Sequence, residues 1–302
     1  MHFLQTDDPH RRPDIDVAIL FATSSAVLWA FGQVVMKLGI ANMPLGMFGF
    51  IRAASSLAFV IPFGLLGTGF HFPEPTLVVI AFLGGLLDSF VGTLLYMKAL
   101  KNTPAYEAVP LANTAPFWGV IAAVLFLGET PRFVAFAAAV LVVLGAYFLV
   151  KRSDGASTRA TTWGPWAALA AGVVWGIAEI APVKYCLTRG MDPVTLQLMV
   201  IVGAGFGWGV YTLFRGKTGE RRFSRRGIGI AILTGFTNLF LGWILWLAAL
   251  QRAPASLISP VRGSVALFGF VFSIVLLKER PSVRSAIGVL LVVGGVMLVT
   301  VA

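Results

Sequence analysis

The sequence predicts an all-α integral membrane protein of ten transmembrane helices, built as two inverted five-helix repeats, and three observations carry that expectation. Hydrophobic residues make up 58% of the 302-residue chain and charged residues only 12%, with a mean hydropathy of +0.87, whereas a soluble domain carries about 25% charge. Clusters of charge, Pro and Gly cut the chain into ten apolar segments, each close to the ~20 residues that cross a hydrocarbon core at ~1.5 Å per residue. Finally, residues 85–150 overlay residues 235–300 without a gap, with seventeen identities in 66 positions, among them Gly85/Gly235, Gly92/Gly242, Pro110/Pro260, Glu129/Glu279 and Gly145/Gly295. Chance supplies only a handful, so the chain is two copies of one unit. Each copy holds five segments; five is odd, so the second copy enters the membrane from the opposite side.

Taken in order, an N-terminal tail (1–15) leads into the first repeat (16–150), with spans at 16–39, 44–67, 75–100, 104–127 and 131–150. The polar linker KRSDGASTRATT (151–162) joins it to the second repeat (163–302), with spans at 163–187, 192–215, 227–250, 254–277 and 281–301. Pro104, Pro131, Pro254 and Pro281 open spans, where the missing N–H would have had no intrahelical partner. The first span is too long for a signal-peptide core and has an internal counterpart around Trp175, so it belongs to the mature protein. Five basic residues lie in loops on the side of the termini and thirteen on the other. The positive-inside rule therefore places the termini outside.

Several function classes are excluded. One cysteine, Cys186, gives no disulfide framework, and His2, His10 and His71 all lie outside the apolar runs, so neither a metal nor another cofactor is expected. No Walker sequence is present, which removes ATP as the energy source. The motifs of intramembrane or hydrolytic enzymes, H-E-x-x-H and G-x-S-x-G, are missing too. The net charge of +10 sits in short loops, including RGKTGERRFSRRG (215–227), and reads as headgroup contact and topology rather than nucleic-acid binding. The expected partners are lipids and a small-molecule substrate, for a monomer or weak homodimer.

A charged group at mid-membrane costs at least about 2.5 kcal/mol on insertion scales, so each one needs a partner, a wet cavity or a task. Such polar residues are Gln33, Arg52, Asp88 and Asn113 in the first copy and Glu179, Asn238 and Arg262 in the second. Lys37, Lys98 and Lys184 lie near span ends and read as snorkelling to the headgroups. Trp29 with Gln33, and Trp175 with Glu179, are four apart and share a helical face. A tryptophan beside a glutamate offers a π-face and a counter-charge to an amine; alternatively the tryptophans fill matched packing holes and Glu179 pairs with Arg262 or Arg52 as a buried strut. The third and eighth spans match Asp88 with Asn238 and Tyr96 with Trp246. Asp88 is either a proton-exchanging carboxylate or half of a salt bridge. Arg262, following the mid-helix Pro260, faces an anionic ligand group or clamps Glu179, and Pro110 and Pro116 mark breaks in the fourth span where freed carbonyls can bind ligands or permit bending. The candidate substrate-binding set is therefore Trp29, Gln33, Asp88, Tyr96, Asn113, Trp175, Glu179, Asn238, Trp246 and Arg262, with Asp88 and Glu179 as coupling residues.

Two five-helix repeats, the mid-span tryptophans, the corners Gly-Glu-Thr-Pro (128–131) and Lys-Glu-Arg-Pro (278–281), and a glycine-rich last span resemble the EamA family of the drug/metabolite transporter superfamily, over residues 16–301. That resemblance implies a ten-helix basket around a central cavity lined by spans one, three, four, six, eight and nine, with spans five and ten behind; Arg52 falls off those lining spans. It also implies cytoplasmic termini, opposite to the loop-charge count. The expected function is secondary transport of a small polar metabolite (amino acid, amine or zwitterion) by alternating access across a bacterial-type inner membrane, coupled to protons or exchange. Sugars, cationic drugs and nucleotide derivatives remain open as substrates, and a passive channel or scramblase as a mechanism.

Overall fold

The computed structural model of the protein describes residues 11–41, 43–67, 69–127, 134–150, 163–215, 224–252 and 255–300. Among these residues every regular element is a helix: α1 (Arg11–Ile40), α2 (Leu45–Leu66), α3 (Pro75–Asn102), α4 (Ala105–Ala112, then Ala115–Leu127), α5 (Val134–Val150), α6 (Trp163–Thr188), α7 (Pro193–Arg215), α8 (225–252), α9 (Ala255–Leu277) and α10 (Val283–Thr300). The apolar runs in α1–α4 and α6–α8 are long enough to cross a membrane, while those in α5, α9 and α10 are shorter, at Ala137–Leu149, Val261–Leu277 and Val283–Leu298. The chain is thus a multi-pass membrane protein. Large apolar side chains such as Leu66, Phe126, Phe206, Phe214 and Leu290 point outward, as lipid requires and water would penalise. The linker 151–162, the first corner at 128–131, Pro254 and most of the basic stretch 215–227 lie outside the described residues.

Helices of the two halves interleave. α1 packs on α8 and α9, α6 on α3 and α4, α2 on α7, and α5 on α10. The contact between α5 and α10 rests on the absence of side chains at two matched positions. A Cβ on Gly145 would meet the Gly288 carbonyl and the Val292 amide, and one on Gly295 would meet the Val142 amide and the Ala138 carbonyl. Such close backbone approach is the small-residue solution to packing helices in lipid, where no hydrophobic force drives them together.

Three helices contain a widened turn with i→i+5 hydrogen bonding: α3 at Leu86–Gly92, α6 at Glu179–Lys184 and α8 at Gly235–Gly242. In α6 the cause is local, since Pro182 lacks the N–H that a regular turn would use. In α3 and α8 the widened turns present carbonyls to donors from elsewhere. The Trp175 indole donates to the Asp88 carbonyl at 2.9 Å and the Trp208 indole to the Ser89 carbonyl at 3.0 Å. The Trp29 indole donates to the Asn238 carbonyl at 3.1 Å, Ser25 Oγ to the Gly242 carbonyl at 2.7 Å, and Gln197 Nε2 to the Leu239 and Phe240 carbonyls. Gly92 and Gly242 leave room for these indoles, because a Cβ at either would strike Trp175 or Trp29.

One end of the bundle is tied by an ion pair. Lys37 does not snorkel as its position near a span end suggests: its Nζ lies 2.6 Å from Glu279 Oε1 and donates to the Thr103 carbonyl at 3.1 Å. Glu279 also accepts from the Ala105 and Tyr106 amides at 3.0 and 3.1 Å, so it caps α4 where orphan N–H groups and the helix dipole favour a carboxylate. Next to it, Lys278 holds φ at 54°, a left-handed conformation that favours glycine, and the matching position in the first copy is Gly128.

Two stability outcomes follow. Trp208→Phe keeps an aromatic ring but removes the indole N–H that bonds the Ser89 carbonyl and leaves a void where the fused ring sat, so it should cost about 2–4 kcal/mol; an unchanged melting temperature in detergent would show that neither the bond nor the packing contributes. Lys278→Gly should raise stability by about 1 kcal/mol, by relieving the left-handed strain, and a lowered melting temperature would contradict the strain assignment.

Candidate functional site

Between the halves lies a cavity of about 60 Å³, room for a few water molecules, lined by α1, α2, α3, α4, α6, α8 and α9. The widened turns aim the polar groups. Asp88 is in the α3 turn, Asn238 in the α8 turn, and Glu179 opens the α6 turn. Single widened turns of this kind concentrate at functional sites, because the extra residue re-aims a side chain. In α4 the helix breaks at residues 113 and 114, between Pro110 and Pro116, and the break turns Asn113 inward.

The first-copy residues form a connected set. Asn113 Nδ2 donates to Gln33 Oε1 at 2.7 Å and to the Val109 carbonyl at 2.8 Å, and the fully buried Tyr96 donates its hydroxyl to the Gln33 carbonyl at 3.1 Å. Ser89 Oγ donates to Asp88 Oδ2 at 2.7 Å. Trp175 packs its ring 5.5 Å from Tyr96. On the opposite wall, Asn238 Nδ2 donates to the Trp29 carbonyl at 3.3 Å while Thr237 donates to Asn238 Oδ1 at 3.1 Å.

Arg262 is paired with Glu179 and lies over two indole faces, 4.9 Å from the Trp29 ring centroid and 5.5 Å from that of Trp246. Of the two π-faces that the sequence offered to a ligand cation, that of Trp29 is occupied by the protein's own guanidinium and that of Trp175 packs near Tyr96, while Glu179 pairs with Arg262 as the strut alternative had it. Desolvated cation–π contacts are worth about 2 kcal/mol or more, which helps hold Arg262 at depth.

Of the ten candidate residues, Trp29, Gln33, Asp88, Tyr96, Asn113, Trp175, Asn238 and Arg262 line the cavity directly. Glu179 reaches it through Arg262, and Trp246 stands behind Trp29, 5.9 Å between ring centroids. Sequence reasoning left out Ser89, Thr93 and Trp243, all of which contribute to the wall, and it left Arg52 off the site. Arg52 sits on α2, a helix that the family resemblance puts outside the lining set. It reaches the cavity because its backbone carbonyl approaches Gly235, where a side chain would collide. The signal was present in the sequence as a charge in the middle of a span opposite a repeat-matched glycine.

Comparison with known proteins agrees with this architecture. A solved crystal structure superposes over 93% of this chain and 95% of its own, with a TM-score of 0.66 and 19% identity, which establishes a shared fold. A protein of Archaeoglobus fulgidus described as an uncharacterized transporter is 23% identical over 93% of this chain and 96% of its own length. A riboflavin transporter of Rhizobium johnstonii is 26% identical over 62% of this chain and 53% of its own length. These names point to a transporter rather than an enzyme. The sequence profile of the EamA-like transporter family matches twice, over residues 16–151 and 162–301, and the chain belongs to that family, within the drug/metabolite transporter superfamily.

Proposed function

We propose that this protein is a secondary transporter that moves a small polar metabolite (an amino acid, an amine or a similar zwitterion) across a bacterial-type inner membrane by alternating access. The single observation that carries the reading is the cavity between the halves, whose walls are contributed by both and whose polar groups include Asp88, Arg52 and the Glu179–Arg262 pair. Charges at membrane depth mark substrate and ion pathways. In this reading the chain spans the membrane ten times as two inverted five-helix repeats, with substrate held between them. Matched contacts support that arrangement: Trp29 on the α8 turn against Trp175 on the α3 turn, and Gly145 against Gly295 in the α5–α10 seam. The family profile also matches once per half.

Asp88 and Glu179 carry the coupling. Glu179 is held by Arg262, so a proton arriving on Glu179 would release the guanidinium and let α6 and α9 move apart. The relative named a riboflavin transporter supports a second substrate class, a flavin.

Counterflow in proteoliposomes separates a carrier from a channel or scramblase: exchange should saturate and speed up when substrate is present on the far side. Glu179→Gln, which strands the Arg262 guanidinium, should lower counterflow by about tenfold or more and lower the melting temperature as well. The apolar double variant Glu179→Leu/Arg262→Met, which removes the pair without stranding a charge, should fold and still fail to transport. Full counterflow by that variant would reduce the pair to a brace.

A further inference from the structure

Arg52 is the one cavity-lining cation that the site as described leaves unused. It is 4% exposed, and its Nε and Nη1 are buried without a hydrogen-bond partner. A guanidinium carries five donors and no acceptor, and a charge buried in this way is costly until something completes it. In the same cavity wall, the Asp88 carboxylate has one hydrogen bond among the described residues, from the adjacent Ser89. Asp88 feels the charge of Arg262 and, less strongly, that of Arg52, but makes no ion pair with either among the described residues. The other two cavity charges, Arg262 and Glu179, are satisfied by each other.

The count of charges is informative. Two cations and two anions line or adjoin the cavity, and pairing Arg262 with Glu179 leaves one guanidinium and one carboxylate without an ion-pair partner among the described residues. A substrate with a net charge would leave one of them unmatched. A substrate with a carboxylate and an ammonium matches both.

We infer that Arg52 is the carboxylate anchor and Asp88 the ammonium site for an α-amino acid, whose carboxylate takes two parallel N–H···O bonds from the guanidinium. This assignment rests on the transport reading above and narrows its substrate class to free amino acids, excluding plain amines, sugars and flavins. The surrounding structure holds both groups in place. Gly235 in the α8 turn admits the backbone of Arg52, and the Trp208 indole fixes the Ser89 carbonyl beside Asp88. A single guanidinium with a carboxylate nearby also disfavours phosphate, whose second negative charge would face Asp88.

The test uses the purified full-length protein in nanodiscs, with thermal stabilisation as the binding readout, because ligand affinity adds to apparent stability. The probes are the twenty amino acids, and for each hit its amide, its decarboxylated amine and its deaminated acid, together with inorganic phosphate, riboflavin and a sugar panel. At least one amino acid should stabilise the protein, with its amide and amine ineffective. Arg52→Gln should weaken that binding by about thirty-fold or more, and Arg52→Lys should retain part of it. Ligand-free Arg52→Gln should melt at or above the wild-type temperature, because an unpaired buried charge has been removed. Asp88→Asn should weaken the amino acid more than its deaminated acid.

Amino-acid binding that survives Arg52→Gln would overturn the anchor. So would stabilisation only by amines, phosphate, sugars or riboflavin, and so would no stabilisation by any amino acid. An Arg52→Gln protein that fails to fold or melts well below wild type would show the arginine to be structural, which also sinks the proposal. Counterflow of the bound amino acid is measured separately: binding without counterflow leaves the anchor standing and removes the transport reading, and counterflow of a substrate without a carboxylate does the reverse.

Discussion

Backbone polar groups in hydrocarbon have no water to fall back on, and the carbonyls of the widened α3 and α8 turns meet that constraint with donors borrowed from other helices. Everything at the centre of this molecule follows from that arrangement. Indoles of Trp175 and Trp208 reach from the second half to the α3 turn, and the indole of Trp29 reaches from the first half to the α8 turn. The same turns carry Asp88 and Asn238. Bonds that fasten the halves together are thus made by the same few residues that shape the cavity, so packing and site cannot be varied independently.

The electrostatics build on this frame. Arg262 gives up its charge to Glu179 and its faces to Trp29 and Trp246, which leaves the tryptophans acting as donors and platforms for the protein itself. At one end of the bundle, Lys37 and Glu279 join α1 to the α9–α10 corner and cap α4. A pair so placed couples the helix ends of one half to a corner of the other, whereas the charges deeper down remain available to a ligand.

Much of this was legible in the residues. The repeat register singled out Gly92/Gly242 and Gly145/Gly295, and these are the positions where an indole or a neighbouring backbone comes too close for a side chain. The rare mid-span polar residues, with the aromatics matched to them, named eight of the cavity's lining side chains. The widened turns were not legible, because apolar periodicity in an almost uniformly apolar span does not register one extra residue per turn. The function of the tryptophans was missed for the same reason: without the splayed carbonyls there is no acceptor for an indole to seek. Lys37 looked like a snorkelling lysine because its partner, Glu279, lies 242 positions away. Arg52 lies on a span that the family likeness puts outside the lining set, although its charge at mid-span already argues for a task.

The central claim is that each half braces the other's widened turn, and amide hydrogen exchange in nanodiscs tests it most directly. Trp175→Phe should speed exchange in the α3 segment 86–92 of the opposite half, Trp29→Phe should do so in the α8 segment 235–242, and each should leave the mutated helix largely unaffected. Acceleration confined to the helix that carries the substitution, or none in either turn, would contradict the account.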